Sequence, residues 1–192
     1  KYSKKLGFRI KLISEACFIE EKIFINTGLK LVNLNNPLAH VEGVLNAINI
    51  KTNHLKSLFI EGEGAGGLAT ASSVISDIYE ISKGSNHKSI GYSSYLLKEI
   101  NLYPRENLKR PYYLRILVSD QPGVLSKITS ILSNKNISIQ TILQLNEEKI
   151  NNKIPIVLTT YDILEKNLNS AIEDISKENF LIDKIVTITI EN

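Results

Sequence analysis

The sequence Tyr112-Tyr-Leu-Arg-Ile-Leu-Val-Ser119 has the alternating apolar residues of a half-buried β-strand. It runs into the turn Asp120-Gln-Pro-Gly-Val-Leu125, a helix pattern to about Lys135, and a second strand from Ile137 to Leu145. The first backbone N–H groups of such a helix have no partners within the helix, so its start can hold the polar head of a small ligand. This segment therefore indicates ligand sensing as well as core formation.

The same kind of pattern continues to the end of the chain. A hairpin through Asn146–Lys153 leads to a predicted strand at Ile154–Tyr161. Asp162-Ile-Leu-Glu165 has the form of a capping box, which predicts the start of a second helix. A last strand is predicted at Val186–Ile190. The order β-α-β-β-α-β is the ferredoxin-like arrangement, which predicts an antiparallel sheet with two helices on one face.

The alternation also divides the side chains between two faces of that sheet. The predicted core face is formed by Leu114, Ile116, Val118, Val124, Leu125, Ile128, Ile131, Leu132, Ile137, Ile139, Leu143, Leu145, Leu164, Leu168, Ala171, Ile172 and Ile175. The opposite face carries Tyr113, Arg115, Leu117, Ile142 and Ile185. Because several of these are apolar, that face is expected to be covered, and an oligomer interface is one way to cover it.

The first half of the chain predicts a mixed or antiparallel sheet with helices, so the fold class is α+β. Its predicted strands are Arg9–Phe18, Ile23–Val32, Asn46–Lys51 and Leu55–Ile60. Asn36 and Pro37 predict the start of a short helix with Leu38, Val41 and Leu45 on one face. A second helix, with an apolar face at Ala71, Val74, Ile75 and Ile78, follows a glycine-rich loop.

A change in composition separates the two halves. Residues 84–111 are polar and charged and carry two prolines, Pro104 and Pro111, as a linker does. The predicted organisation is therefore a first domain at 1–83, a linker at 84–111 and a second domain at 112–192.

The composition is typical of a globular protein and argues against a membrane-spanning or nucleic-acid-binding one. The apolar fraction of 43% allows a real core, and no apolar run approaches the roughly 20 residues that cross a membrane. The basic residues do not cluster among aromatics, so no nucleic-acid partner is predicted. The single cysteine, Cys17, favours a buried thiol in a reducing cytoplasm. Because the chain starts with Lys1 and has no methionine, an excerpt of a longer protein is expected.

The segment Gly62-Glu-Gly-Ala-Gly-Gly-Leu-Ala-Thr-Ala-Ser-Ser73 joins a predicted strand to a predicted helix. Its small residues let the backbone approach a ligand, and the helix start favours negative charge. Thr70 and Ser72 are placed to cap the helix or to bond a phosphate oxygen. A tight structural loop explains the same residues. A Rossmann opening is not indicated, because no βαβ unit with an acidic residue about 20 positions on follows.

Other catalytic chemistry finds little support in the residues. His40, His54 and His87 lack the spacing of metal ligands, so no metal site is predicted. The serines of the glycine-rich segment show no nucleophile–base pattern, which argues against a hydrolase.

With its βαββαβ order, the second domain resembles the ACT domain, a regulatory module that binds small ligands, often amino acids. The resemblance is carried by Asp120, Pro122, Gly123 and Leu125, followed by Asn136-Ile-Ser-Ile-Gln140. In such domains the ligand sits between the first loop and a strand of a neighbouring copy. By position, the resemblance implies the effector-binding residues Asp120, Gln121, Gly123, Val124, Ser138 and Gln140.

The first domain resembles the carboxyl-terminal half of the catalytic region of homoserine dehydrogenase. The matching residues are Leu6–Leu12, Asn36-Pro-Leu-Ala39, Val41, Gly43-Val44, Asn46-Ala47 and the Gly62–Ser73 segment. The family commonly has proline where this chain has Ala69, a difference that is expected to loosen the loop. Many bacterial members end in an ACT domain, which agrees with the second half of the chain.

This resemblance implies an NAD- or NADP-dependent oxidoreductase that interconverts L-homoserine and L-aspartate 4-semialdehyde in amino-acid biosynthesis, with L-threonine as the expected feedback effector. By position, Gly62, Gly64, Ala65, Gly66 and Thr70 would approach the nicotinamide end of the cofactor. The family's Rossmann domain and catalytic lysine and carboxylates lie upstream of the matched region. The chain alone is therefore expected to be inactive, and paired ACT domains imply a homo-oligomer. Two alternatives stay open, a non-catalytic amino-acid sensor and another amino-acid enzyme with an ACT tail, such as an aspartate kinase fusion or a hydroxy-acid dehydrogenase.

Overall fold

The computed structural model describes residues 1–84, 94–145 and 152–191. The helices are α1 (Tyr2–Lys5), α2 (Gly67–Ser82), α3 (Val124–Asn134) and α4 (Glu165–Ser176), with short 3-10 turns at Pro37–His40, Ser94–Leu96 and Arg105–Asn107. The strands are β1 (Phe8–Ile19), β2 (Lys22–Asn33), β3 (Leu45–Ile50), β4 (Leu58–Glu63), β5 (Lys109–Arg110), β6 (Tyr112–Ser119), β7 (Ile139–Gln144), β8 (Lys153–Thr160), β9 (Ile163–Leu164) and β10 (Val186–Glu191). They form a larger unit (Lys1–Asn33 with Asn101–Asn192) and a smaller unit (Leu34–Ile100).

The larger unit is built on a six-stranded sheet with the order β1-β2-β10-β6-β8-β7. Its four strands β10-β6-β8-β7 are antiparallel to one another, which is the ferredoxin-like order. The apolar faces of α3 and α4 are buried in one cluster with Leu114, Ile116 and Val118 of β6. Both helices therefore cover the same face, and the predicted α+β class with a ferredoxin-like second half is confirmed.

The hairpin β1–β2 extends this sheet on the other side of β10. The two hairpin strands pair along all twelve residues, from Phe8 with Asn33 to Ile19 with Lys22. Strand β2 then runs parallel to β10, where Ile190 pairs with Leu31. Residues assigned from sequence to two domains thus share one sheet. The division at 1–83, 84–111 and 112–192 remains a prediction, because a domain boundary in sequence and a compact unit in space are different properties.

The second face of the sheet carries an apolar cluster of its own. Leu31, Tyr113, Val157 and Ile190 are buried there, and Tyr2, Leu6, Phe8, Leu143 and Ile188 cover them in part. Three predictions about the faces were wrong. Ile185 lies with the α3–α4 core instead, Ile142 pairs with the core residue Leu158, and Leu143 lies on this second face. The register shift between Ile139 and Thr141 explains the last two, because a β-bulge reverses the alternation beyond it.

The start of α4 differs from the predicted capping box at Asp162. Ile163 and Leu164 are extended and pair with Lys109 and Arg110 as strand β9. This pairing delays the helix to Glu165, and its N-cap residue Leu164 makes no side-chain capping bond. A short tertiary strand pairing therefore overrides the local capping signal. The predicted hairpin at Asn146–Lys153 falls largely outside the described residues.

In the smaller unit, the predicted cap at Asn36 is confirmed, since Leu38 N donates to Asn36 Oδ1 at 3.1 Å. The turn ends at His40, so Val41 and Leu45 do not continue a helical face as predicted. Strands β3 and β4 pair antiparallel. Strand β4 begins at Leu58, later than predicted, because Thr52 holds a turn through hydrogen bonds with the backbone N–H and carbonyl of Leu55.

Candidate ligand-binding sites

The first candidate site is the turn between β6 and α3. Strand β6 ends at Ser119, and Gly123 occupies the N-cap of α3 with φ +89°, a left-handed conformation that favours glycine. Asp120 N donates to Asn152 O at 2.8 Å, which ties the turn to the start of β8. Since the N-cap residue has no side chain of its own, the first N–H groups of α3 receive no side-chain capping bond from it.

Exposure separates the residues of this turn. Gln121 and Gly123 are exposed and Asp120 is half-buried, whereas Val124 is only 7% exposed and belongs to the core. Leu125, which was expected to anchor the helix in the core, is 36% exposed. That expectation was wrong, because the helix starts at Val124 and its buried face is Val124, Ile128 and Leu132. Val124 can therefore offer a ligand only its backbone.

Ser138 and Gln140, the other two predicted effector residues, lie at the opposite end of the sheet. Ser138 O accepts from Tyr161 N at 3.1 Å, just beyond the last residue of β8, whereas Asp120 is tied to Asn152 just before its first. The eight residues of β8 separate these two points by about 25 Å at the usual rise of a strand. Within one chain, the two parts of the predicted effector site are therefore far apart.

Gln140 instead lines a groove of about 460 Å3 in the larger unit. The other lining residues are Phe8, Asn33, Pro111, Thr160, Tyr161, Asp162 and Ile190. Local sequence patterns do not single out this set of residues. Its members lie as much as 182 positions apart in the chain, between Phe8 and Ile190, and only the parallel pairing of β2 with β10 brings them together.

A cluster of charged side chains joins the hairpin to the carboxyl-terminal strand. Lys30, 1% exposed, lies 2.6 Å from Glu15 and 2.8 Å from Glu191. Arg110 Nη2 donates to Glu15 Oε2 at 2.6 Å. Burial raises the pKa of Glu15, but the hydrogen bonds from Arg110 and Lys30 outweigh it and hold that pKa below its ordinary value. The two cations and two carboxylates balance, so this cluster is structural rather than a site for an ion.

Neighbouring groups range from the buried Tyr112 to Arg105, whose side chain is 58% exposed. Arg105 Nε bonds both carboxylate oxygens of Glu165 at 2.8 Å. Burial, with the nearby Glu165 carboxylate, raises the pKa of Tyr112 to about 12. Burial also raises the pKa of the half-buried Cys17 thiol, which is therefore protonated at neutral pH and a weak nucleophile.

The glycine-rich segment of the smaller unit has a helix start of the predicted kind. Gly66 is the N-cap of α2 with φ +125°, and a side chain there would meet no atom within 4 Å. Gly64 has a different role, because a Cβ on it would collide with the Asn46 side chain. Thr70 lies one turn inside α2, where its N–H bonds Gly66 O at 3.0 Å. Thr70 and Ser72 therefore do not cap the helix, contrary to the prediction.

Other features of the smaller unit are exposed. Gly62 belongs to β4, and Ala65 lies between that strand and the N-cap of α2. The apolar residues Val74, Ile75, Ile78 and Ile81 of α2 are all more than half exposed.

In the ranges 1–84, 94–145 and 152–191, no group of three or more histidine, cysteine or acidic residues could hold a metal ion. His87 lies outside these ranges. None of the helices described is long and apolar enough to cross a membrane.

Two protein families match separate parts of the chain. Residues 1–79 match the homoserine dehydrogenase family, and residues 112–180 match the ACT domain family. The homoserine dehydrogenase of Helicobacter pylori is 32% identical over all of this chain, and that of Pseudomonas aeruginosa is 29% identical over 99% of it. Each match covers 45% of the relative, so the chain spans less than half the length of these proteins.

The fold agrees with these sequence matches. A crystal structure of a homoserine dehydrogenase from Thiobacillus denitrificans superposes on the whole chain with a TM-score of 0.85 and 30% identity. This chain covers 44% of that structure. The predicted resemblance is confirmed in both halves: the chain belongs to the homoserine dehydrogenase family and carries an ACT domain.

Proposed function

We propose that the chain is part of an NAD- or NADP-dependent homoserine dehydrogenase, which interconverts L-homoserine and L-aspartate 4-semialdehyde. The observation that carries this proposal is the match of all 192 residues to one relative with that name, across both family segments in the same order. A match to the ACT domain alone would be compatible with many enzymes. We expect a cytoplasmic location, in line with a free cysteine and a soluble biosynthetic role.

In this proposal the smaller unit contributes to the cofactor site. The nicotinamide supplies or accepts the hydride, and the residues that would approach it are Gly62, Gly64, Ala65, Gly66 and Thr70. The open space at Gly66, the uncapped start of α2, supports a close approach. Gly64 would contribute only its backbone. Its lack of a side chain is explained by Asn46, whose side chain occupies the space that a Cβ would need.

The lysine and carboxylates that act on the substrate are proposed to lie outside residues 1–192, as the Rossmann domain would. A chain that cannot orient its cofactor loses the positional contribution to catalysis, which reaches about 7–11 kcal/mol in favourable cases. We therefore expect no measurable turnover from this chain alone.

A chimaera tests the catalytic proposal. The upstream part of the Helicobacter pylori enzyme would be joined to residues 1–192, and the reduction of L-aspartate 4-semialdehyde would be followed by NADPH or NADH absorbance. Activity in the chimaera, with none in either part alone, supports the proposal. A folded but inactive chimaera that still binds amino acids would favour the alternative of a non-catalytic sensor. Ordinary activity of residues 1–192 alone would contradict the placement of the catalytic groups.

For regulation, we propose that the ACT domain binds an amino acid, with L-threonine as the feedback effector, between two copies of the chain. Asp120, Gln121, Gly123 and Val124 would come from one copy, and Ser138 and Gln140 from its neighbour. The separation of about 25 Å along β8 supports this arrangement, because a single amino acid cannot bridge it within one chain. A homo-oligomer is therefore part of the proposal.

Calorimetry and light scattering test this regulatory site. L-Threonine should raise the melting temperature, as a ligand that binds only the folded state does. Gly123→Val should abolish the shift, since it places a side chain at the helix start. Scattering should show at least a dimer in the presence of L-threonine. A shift that survives in Gly123→Val, or a monomer saturated with L-threonine, would contradict the proposed site.

A further inference from the structure

The groove of about 460 Å3 lies at one end of the six-stranded sheet and is lined by residues of five of its strands and by Pro111, just before the sixth. Phe8 and Asn33 are paired at the open end of the hairpin β1–β2. Next come Ile190 of β10, Pro111 before β6, Thr160–Asp162 at the end of β8, and Gln140 in the bulge of β7. The groove therefore has walls from both family segments of the chain.

We propose that this groove is a second small-molecule site, which takes a compound with a primary ammonium group and a second polar group, such as a free amino acid. It is separate from the effector site proposed above, with which it shares only Gln140. The proposal does not rest on that site or on dehydrogenase activity. It rests on the chemistry of the lining and on the place of the groove in the sheet.

The lining favours an ammonium group. Asp162 is the one ionisable acid or base other than tyrosine among the residues described as lining the groove. A carboxylate attracts a cation and repels a phosphate, so phosphate-bearing cofactors are disfavoured. The side-chain amides of Asn33 and Gln140 can each donate and accept, which suits a carboxylate or hydroxyl on the same ligand.

The rest of the lining suits a small aliphatic part. Phe8, Pro111 and Ile190 supply apolar surface, and Pro111 and Ile190 are buried. Thr160 is fully buried and its hydroxyl already accepts from Tyr112 N at 3.0 Å, so it forms a fixed wall rather than a ligand contact. The volume lies within the range of about 300–1,000 Å3 that is typical of small-molecule sites, and the lining is more polar than apolar, which suits a small polar ligand.

The position of the groove implies a consequence of binding. Strands β2 and β10 pair over only three residues, Lys30–Val32 with Thr189–Glu191. A ligand that contacts Asn33 on one side and Asp162 on the other would hold this short junction together. Occupancy would thus stabilise the contact between the homoserine dehydrogenase segment and the ACT domain, by an amount set by ligand concentration relative to Kd.

Titration calorimetry with the full chain tests the proposal. The probes are L-threonine, L-homoserine and L-isoleucine, each compared with its N-acetyl derivative, which lacks the ammonium group. We expect at least one free amino acid to bind and its N-acetyl derivative to fail. Asp162→Asn should weaken binding about 10- to 100-fold, because it removes a charge-assisted hydrogen bond but keeps the shape of the side chain. Asn33→Ala should weaken it too.

The matched control is Asp120→Asn, the same substitution in the turn before α3. Binding that Asp162→Asn weakens and Asp120→Asn leaves unchanged supports the groove. Binding that only Asp120→Asn weakens overturns the groove and leaves the effector site of the proposed function standing. Binding that neither variant changes, equal binding of the N-acetyl derivatives, or no binding by wild type also overturns the inference. Circular dichroism of each variant confirms that a loss of binding is not a loss of fold.

Discussion

Lys30 Nζ lies 2.6 Å from Glu15 Oε1, although only 1% of the lysine side chain is exposed. The lysine also reaches Glu191 of the last strand at 2.8 Å, and Arg110 bonds the second oxygen of Glu15. A buried cation is tolerated only when it is paired and hydrogen-bonded. The ion pairs of Lys30 therefore link the first hairpin to the carboxyl-terminal strand, because the buried ammonium group would be destabilising without its carboxylate partners.

Removal of this lysine should be costly. Lys30→Met leaves two half-buried carboxylates with Arg110 as their remaining cation, and we expect a loss of about 3 kcal/mol in the free energy of unfolding. The matched control is Lys127→Met, which breaks a pair with Glu178 that is largely exposed and should cost less than about 1 kcal/mol. Urea unfolding followed by circular dichroism measures both. Equal losses in the two variants would contradict a buried role for Lys30.

The same cluster predicts an acid-dependent loss of stability. Although burial acts to raise the pKa of Glu15, bonds from Arg110 and Lys30 hold it below the ordinary 4.5 in the folded state. The stabilisation is therefore present above pH 4.5 and is lost as the pH falls from there through the lower folded pKa. Glu15→Gln should lose less stability over this window than wild type does.

Urea titrations at a series of pH values below neutrality measure the difference. The pKa of Asp174 is also lowered, by hydrogen bonds from Lys135 and Lys177, so it contributes to acid sensitivity in both proteins. The difference between Glu15→Gln and wild type therefore isolates the contribution of Glu15 to the pH dependence of stability. Parallel curves for the two proteins would show that Glu15 titrates normally.

Gly123 is predicted to be required for conformation rather than for space. Its φ is +89°, yet a Cβ there would meet no atom within 4 Å. Gly123→Ala should therefore destabilise the chain by about 1–2 kcal/mol through backbone strain alone. Gly28→Ala, at an ordinary φ in the same unit, is the control and should cost less. Calorimetry of thermal unfolding measures both variants. A larger destabilisation by Gly28→Ala than by Gly123→Ala would refute the prediction.

Thr160 should be sensitive to loss of its hydroxyl. Its Oγ1 accepts from the buried Tyr112 N at 3.0 Å, and valine has nearly the same shape without the acceptor. Thr160→Val leaves that N–H unsatisfied and should cost about 1–3 kcal/mol in the free energy of unfolding. Thr187→Val, at an exposed position of β10, should change it by less than about 0.5 kcal/mol. Chemical denaturation of both variants measures these changes. If Thr160→Val left the free energy of unfolding unchanged, another group would have to accept the hydrogen bond from Tyr112 N.

The hairpin β1–β2 offers a test of burial within one strand pair. Leu12 is 71% exposed and Leu31 is 1% exposed, although both lie on one sheet face. Leu31→Ala should cost about 2–5 kcal/mol because it leaves a cavity, whereas Leu12→Ala should cost less than about 1 kcal/mol. If Leu12→Ala proved as damaging in urea unfolding, the exposed end of this face would have to be covered in solution.

Local patterns along the chain were sufficient for the elements of the ferredoxin-like half. The alternation at Leu114, Ile116 and Val118 and the helical spacing of Ile128 and Leu132 identify core faces because each pattern has the period of one regular element. The turn at Gly123 was equally readable, since its left-handed backbone favours glycine. These features depend on neighbours within a few residues, which the sequence displays directly.

Tertiary pairing decided the remainder. The extended Ile163–Leu164 displaced the capping box at Asp162 because Lys109 and Arg110 pair with it. The bulge near Thr141 places Leu143 on the other face. A run of alternating residues gives no sign of such a bulge.

The groove between Asn33 and Asp162, and the contact of Lys30 with Glu191, join residues more than 120 positions apart. The chain's periodicities predict which side chains are buried, but which strand lies beside which follows from the free energy of the whole sheet. For that physical reason, only the folded chain revealed that the homoserine dehydrogenase hairpin and the ACT domain share one sheet.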